Sequence, residues 1–527
     1  MTEKKKIDLN EQFVHALRII EETDRNVFIT GRAGTGKSTL LQYFRDNTEK
    51  NIAVLAPTGV AAVNIKGQTV HSFFNFRPDV TPDTAGKIKP RDKDIYKKLD
   101  AIVIDEISMV RADLLDCVDI FLRKHGKKKG LPFGGIQMVL IGDLYQLPPV
   151  VTSREKELFR DHYRSPYFFS ARVFDKDLLS SQKARFEMEF IELEKVYRQR
   201  DERFLDILNS IRNNTVTDDD IKEINKRCSP DFDGGPAEFY IYLTTTNALA
   251  EKINMDRLSK LSMREHRYQG EMEGDFEARG LPTAFDLTIK QGSQVMLLNN
   301  DSLGRWINGS IGKIADIEKG DDGADVLWVE LPDGEVVDVT PYKWEMFEFS
   351  YDKKSSRILS ETVGSFTQYP LRLAWAVTIH KSQGMTFDKV IIDIGTGTFS
   401  HGQLYVALSR CTTMNGLVLK RPVHKKNVLL DRRVVDFVTR YQYRQAKEQL
   451  SMEDRYAMLD QAIKGKKKLE IVYLKAGDEK SKRTIVPIHA GEMEYRGRKF
   501  PGLRAFCTDK NEERTFHVER ILEMRVV

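Results

Sequence analysis

The run Gly31-Arg32-Ala33-Gly34-Thr35-Gly36-Lys37-Ser38 has glycines at its first and sixth positions, followed by a lysine and a serine. That pattern holds phosphate. Glycines let backbone N–H groups curl around phosphate oxygens at a helix N-terminus, a lysine adds charge at the β- and γ-phosphates, and a serine hydroxyl can ligate Mg²⁺. The candidate nucleotide contacts are therefore Gly31, Gly34, Thr35, Gly36, Lys37, Ser38 and Thr39. Asp105-Glu106 lies 68 residues beyond Lys37. Two adjacent acids divide the remaining labour, Asp105 with Ser38 holding the metal and Glu106 orienting or deprotonating the attacking water. Gln146, in Gly142-Asp143-Leu144-Tyr145-Gln146, has an amide that could sense the γ-phosphate, although read from its residues alone it is an ordinary loop glutamine.

Such groups need elements to position them. Val27–Thr30 is a β-branched and aromatic run entering the glycine loop, and Ser38–Phe44 has helical character. Ile52–Ala56, Ala101–Ile104 and Met138–Ile141 are further short apolar runs alternating with helical stretches, the pattern of a parallel α/β sheet. A second set, Phe239–Leu243, Val390–Ile394 and Leu417–Leu419, predicts a second α/β lobe beginning near residue 190. Between these, Gln294–Leu298, Lys313–Ile317, Asp325–Leu331 and Glu335–Val339 alternate apolar and polar residues, which predicts a small antiparallel barrel inserted into lobe two. Pro332-Asp333-Gly334 supplies a hairpin turn.

Composition bounds the rest. A chain of 527 residues is too long for one core. It contains no run of about 18 apolar residues, which argues against a membrane partner, and no secretory leader, so the expected location is cytoplasmic. Cys117, Cys228, Cys411 and Cys507 are spaced for neither disulfides nor metal and read as reduced and structural. Net charge is +5, and +4 of it falls after Ser451, where 17 Lys/Arg face 13 Asp/Glu. That permits nucleic-acid binding without requiring it.

The ordered motifs Gly31–Ser38, Asp105-Glu106-Ile107-Ser108-Met109, Pro132–Gln137 and Gly142–Val150, with the segment Met109–Asp116, resemble the Pif family of RecD-like superfamily 1B DNA helicases over roughly residues 7–425. The resemblance implies an α/β fold of two tandem RecA-like P-loop lobes, with an SH3-like β-barrel insertion in the second. Lobe one would span 1–190, with a small wedge near 70–95, and lobe two 191–440, with the insertion near 282–365. It also implies ATP as fuel with Mg²⁺, Gln12 reading adenine, and catalytic roles for Lys37, Asp105, Glu106 and Gln146. Arg198 and Arg410 would serve as arginine fingers, with Gly384 beside the nucleotide.

Single-stranded DNA and forked or structured DNA become the expected partners, with 5′-to-3′ movement in replication, repair or recombination by a chain that is monomeric on its own. By resemblance the contacts are Pro57, Thr58, His71 and Phe73 in lobe one and Thr246, Asn247, Thr378, His380, Lys381 and Ser382 in lobe two. Phe73, Phe74 and Phe76 could offer bases a stacking face. Residues 451–527 resemble a WYL-type, Sm-like, mainly-β domain. Thr515–Ile521 matches its ending, whereas Phe500-Pro501-Gly502-Leu503 interrupts its core motif. Arg504, Arg514 and Arg520 could bind single-stranded nucleic acid or a small ligand there. Two other readings share these motifs: a nucleic-acid-responsive regulator that switches on ATP, and an RNA-directed or protein-stripping motor.

Overall fold

The computed structural model describes residues 10–151, 159, 161–174, 186–197, 201–235, 238–276, 281–320, 323–395, 400–475, 480–495 and 497–527. The chain divides into two compact units, Met1–Ile211 with Val216–Leu429, and Leu430–Val527 with Arg212–Thr215.

In the first unit, β1 (Asn26–Gly31), β2 (Ile52–Ala56), β3 (Gln68–Thr69), β4 (Ala101–Ile104), β5 (Gln137–Ile141) and β6 (Met188–Leu193) form one parallel sheet in the order β3-β2-β4-β5-β1-β6. Its strands are apolar on both faces because helices cover both. Val27, Ile29, Val103 and Val139 pack with Phe13, Leu40 and Phe44 of helices Glu11–Glu22 and Lys37–Asn47. The order β4-β5-β1 sets three loops side by side at the carboxyl edge, where open α/β sheets bind ligands. β6 pairs with β1 from Asn26 opposite Met188 to Gly31 opposite Leu193. The first sheet thus continues past the break expected near residue 190, since a short alternating run does not say which sheet it joins.

The second lobe lays Ala376–Thr378, Ile241–Thr244, Val390–Asp393 and Leu417–Leu419 side by side in that order, all parallel. Inserted into it is a five-stranded antiparallel sheet in the order Val336–Val339, Asp325–Glu330, Ile311–Lys319, Gln294–Leu297, Leu371–Leu373. Gly334, at φ +88°, makes the turn expected of it. A long hairpin that the sequence reading lacked, Tyr342–Asp352 with Arg357–Gln368, crosses to the first lobe. There the Phe349 N–H donates to Gln68 Oε1 at 3.3 Å and the Ile358 N–H to Asn51 Oδ1 at 3.0 Å.

The second unit is a five-stranded antiparallel sheet, Glu512–His517, Arg498–Cys507, Lys480–Tyr495, Leu469–Leu474 and Ile521–Val526 in spatial order. Helix Met452–Lys464 contributes Leu459 and Ala462 to a core with Ile471, Ile485, Leu503 and Val518. All four cysteines are free. No helix of the described residues is long and apolar enough to cross a membrane.

Candidate functional site

β1 delivers the chain into the glycine loop, and Gly36 at φ +86° turns it into helix Lys37–Asn47. Only glycine fits there, because a Cβ would stand 2.9 Å from Phe13 Cζ in a conformation L-residues avoid. The Lys37 ammonium donates to the Gly31 and Arg32 carbonyls at 2.7 and 3.0 Å, so the loop closes around it. Thr35 is buried and its hydroxyl donates to the Arg32 carbonyl at 3.0 Å, while Ser38 and Thr39 stand exposed on the first helical turn. The Tyr197 N–H donates to the Gly34 carbonyl at 2.9 Å. The next residue, Arg198, expected as an arginine finger, lies outside the described residues. Gln12, on the helix beside the loop, accepts the Glu194 N–H at 2.9 Å and so ties that helix to the end of β6.

Asp105 and Glu106 follow β4. Glu106 sits at φ +49°, a left-handed conformation that costs a non-glycine residue about 1 to 3 kcal/mol and that aims the two acids differently. Asp105 Oδ1 accepts the Glu106 N–H at 2.9 Å. Both carboxylates keep a narrow opening to water but are ringed by protein. Burial raises the Asp105 pKa. Glu106 is pushed up to about 7, first by burial and then by the Asp105 charge, with Lys37 and Arg410 pulling the other way. After β5, Gln146 donates to Asp143 Oδ2 at 3.2 Å.

The second lobe closes this site. The Gln383 amide donates to Glu106 Oε2 at 3.2 Å and to Gln146 Oε1 at 3.0 Å, bridging the candidate base and the candidate sensor. The sequence reading passed over Gln383 although it named its neighbour Gly384, which adopts φ +82°. The missed signal was an uncharged donor beside a glycine turn. Arg410 is 1% exposed. Its Nε donates to the Val406 carbonyl at 2.9 Å, its Nη1 to Ser382 and Met385 carbonyls at 3.3 and 3.1 Å, and its Nη2 to Ser409 Oγ at 2.8 Å. Its charge therefore reaches Glu106 while its hydrogen bonds brace its own lobe. Two further lobe-two residues lie against lobe one here: the Ala33 N–H donates to the Tyr405 hydroxyl at 3.3 Å, and a Cβ at Gly402 would stand 2.4 Å from the Tyr145 carbonyl.

The strand-contact candidates separate into two groups. Thr58 and Thr246 each cap the helix that follows a parallel strand, their hydroxyls accepting from Ala61 and Leu249 N–H at 3.3 Å, and both are exposed. Asn247, His380 and Lys381 are exposed too, and Pro57 and His71 are partly so. Three candidates need correction. Phe73 is 6% exposed and makes edge contacts with Phe74, Tyr96 and Phe349, and Phe74 and Phe76 are equally buried, so these rings are core rather than a stacking face. Ser382 is fully buried with its hydroxyl donating to the Ile379 carbonyl at 2.8 Å, and buried Thr378 accepts the Lys381 N–H at 3.3 Å. These two shape the loop that presents His380 and Lys381. In the second unit Arg514 is held by Glu512 at 2.6 Å. Among the described residues no cluster of three His, Cys, Asp or Glu could hold a metal.

A phosphate loop and paired acids from one lobe, met by an arginine and an amide from another, define a two-lobed P-loop nucleotide hydrolase. Residues 8–222 match the PIF1-like helicase model, 373–418 the UvrD-like helicase C-terminal domain and 454–526 the WYL domain. An ATP-dependent DNA helicase Pif1 of Bdellovibrio bacteriovorus is 32% identical over 451 residues, covering 83% of this chain and 93% of that protein. The structure of Pif1 from Bacteroides sp. in complex with ADP-AlF4 is 36% identical with a TM-score of 0.74, covering 82% of this chain and 97% of that one. Bacteroides Pif1 bound to ssDNA is 37% identical with a TM-score of 0.57, at the same coverage. The chain belongs to the Pif1-like helicase family, and it carries a WYL domain at its C-terminal end.

Proposed function

We infer that this chain is an ATP-dependent DNA helicase that translocates 5′-to-3′ on single-stranded DNA and unwinds duplex or structured DNA. The observation that carries the reading is the Gln383 bridge, because the loop that presents His380 and Lys381 also reaches the Glu106 carboxylate. Grip on a strand and readiness for hydrolysis therefore share one short segment. Support for ATP comes from the Lys37 loop and from the similar Bacteroides protein solved with ADP-AlF4. Ser38 and Asp105 are the residues that would hold Mg²⁺, Glu106 the base, Gln146 the sensor, and Arg198 and Arg410 the cations for the charge that develops on the transferred phosphoryl group. Pro57, Thr58, His71, Thr246, Asn247, His380 and Lys381 would hold the strand by its phosphates, which suits a motor indifferent to sequence. The WYL unit would bind single-stranded nucleic acid or a small ligand.

The decisive measurement is strand displacement on duplexes bearing a 5′ or a 3′ single-stranded tail. Displacement should require ATP and the 5′ tail, and equal rates on both tails would reject the stated direction. An RNA-tailed arm separates the RNA-directed motor. A second expectation concerns pH. A general base acts only when ionised, so with Glu106 near 7 the hydrolysis rate should climb as pH rises through about 7. At pH 6 it should be roughly a tenth of its plateau value. A rate constant across pH 6 to 8 would remove Glu106 from that role.

A further inference from the structure

Arg372 lies on the strand Leu371–Leu373, opposite Met296, four residues before the strand that leads into the loop bearing His380 and Lys381. Its hydrogen bonding is unusually poor for an enclosed guanidinium. One nitrogen, Nη2, donates to the Pro282 carbonyl at 2.7 Å, while Nε is sealed from solvent and meets no acceptor. Among the described residues no carboxylate exerts a pull on it, and burial is what presses its pKa down. Arg410 shows the contrast, with an acceptor on each of its three nitrogens.

An arginine cannot escape this by releasing its proton, and a guanidinium enclosed without a counter-charge is costly. What lies beside it makes the deficit larger. Lys381, although much of its side chain is open to water, is held below its ordinary pKa by partial desolvation and then by the Arg372 charge, and Glu251 is the carboxylate that opposes this. The Arg372 charge thus acts on Lys381, and among the described residues the one carboxylate that acts on either cation acts on the lysine. The residue is partly exposed, and Nη1, which is neither bonded nor among the sealed atoms, is the nitrogen a ligand can reach. Arg372 stands on the same lobe as the loop residues His380 and Lys381, and its charge acts on Lys381.

We propose that Arg372 is a phosphate-binding residue of the DNA track, completing with Lys381 a two-cation seat for one phosphodiester of the bound strand. This rests on the DNA-helicase reading above. The strand's negative charge supplies what the protein withholds, and Nη1 is the charged donor left to meet a phosphate oxygen. The arrangement also gives a reason for leaving the arginine underbonded: a residue satisfied within the protein would have little to gain from a strand.

The test uses the full chain and a fluorescent oligothymidylate, with dissociation constants measured between about 50 and 200 mM salt, a range over which phosphate contacts are counted by their salt dependence. The slope of log affinity against log salt for Arg372→Met should be shallower by about 0.7, one single-strand phosphate, and affinity at low salt should fall by about tenfold. Arg372→Lys should recover most of the slope. Because the substitution removes an uncompensated enclosed charge, the strand-free Met variant should melt no lower than the parent. Equal slopes for parent and Arg372→Met overturn the proposal, as does a Met variant that melts lower while its slope is unchanged. If the Met variant does not fold, Arg372→Gln carries the same comparison. A parent that fails to bind the oligonucleotide instead overturns the helicase reading, so the two failures are distinguishable.

Discussion

Lys37→Ala is expected to reduce DNA-stimulated ATP hydrolysis by at least about 10³-fold, with strand displacement lost alongside it. The geometry gives two independent reasons. The ammonium is the positive charge at the centre of the glycine loop, so its loss removes stabilisation where charge accumulates on the transferred group. It also holds the Gly31 and Arg32 carbonyls at 2.7 and 3.0 Å, so the loop loses the donor that curls it. Affinity for ATP should fall as well, since a lysine in this loop would contact the bound nucleotide as well as the transition state. Phosphate release measured with saturating oligothymidylate checks this, and a rate within tenfold of the parent would show that the phosphates lie elsewhere.

Glu106→Gln should separate binding from turnover. Hydrolysis falls by about 10² to 10⁴-fold, the usual contribution of a positioned general base, while the dissociation constant for ATP changes little. The amide keeps the shape of the side chain and can still accept from Gln383, so the bridge to the second lobe survives. It also removes a carboxylate that burial and Asp105 both disfavour, so the variant should melt no lower than the parent at neutral pH. Single-turnover hydrolysis beside equilibrium binding of a fluorescent ATP analogue makes the distinction. Near-normal turnover with binding intact would transfer the base role to another residue.

The nucleotide site was largely legible because its chemistry is written in contiguous residues. Gly31–Ser38 and Asp105-Glu106 each follow an apolar strand, and strands buried on both faces are hard to misread. What escaped depends on contacts between distant segments. Gln383 is one polar residue among several until the fold sets it 3.2 Å from Glu106. Phe73, Phe74 and Phe76 misled because an aromatic run beside a nucleic-acid motif reads alike as a stacking face or a core. Phe349, arriving on a hairpin some 270 residues later, helps decide for the core. Ser382 misled because a serine on a binding loop can as readily bond its own backbone. That hairpin left a signal the sequence reading passed over: Tyr342–Met346 and Phe347–Asp352 each alternate apolar and polar residues, and the bulge between Met346 and Phe347 breaks the period where the two runs meet.

The turn from Thr378 to Met385 has a mechanical consequence. The Ser382 hydroxyl, the Thr378 hydroxyl and two bonds from Arg410 fasten this backbone, so it has few soft torsions between its exposed end and Gln383. A tug on the residues at 380 and 381 would arrive at the amide as a displacement and would not dissipate as slack. Tension on a strand held there would register at the Glu106 carboxylate as a change in its contact with Gln383.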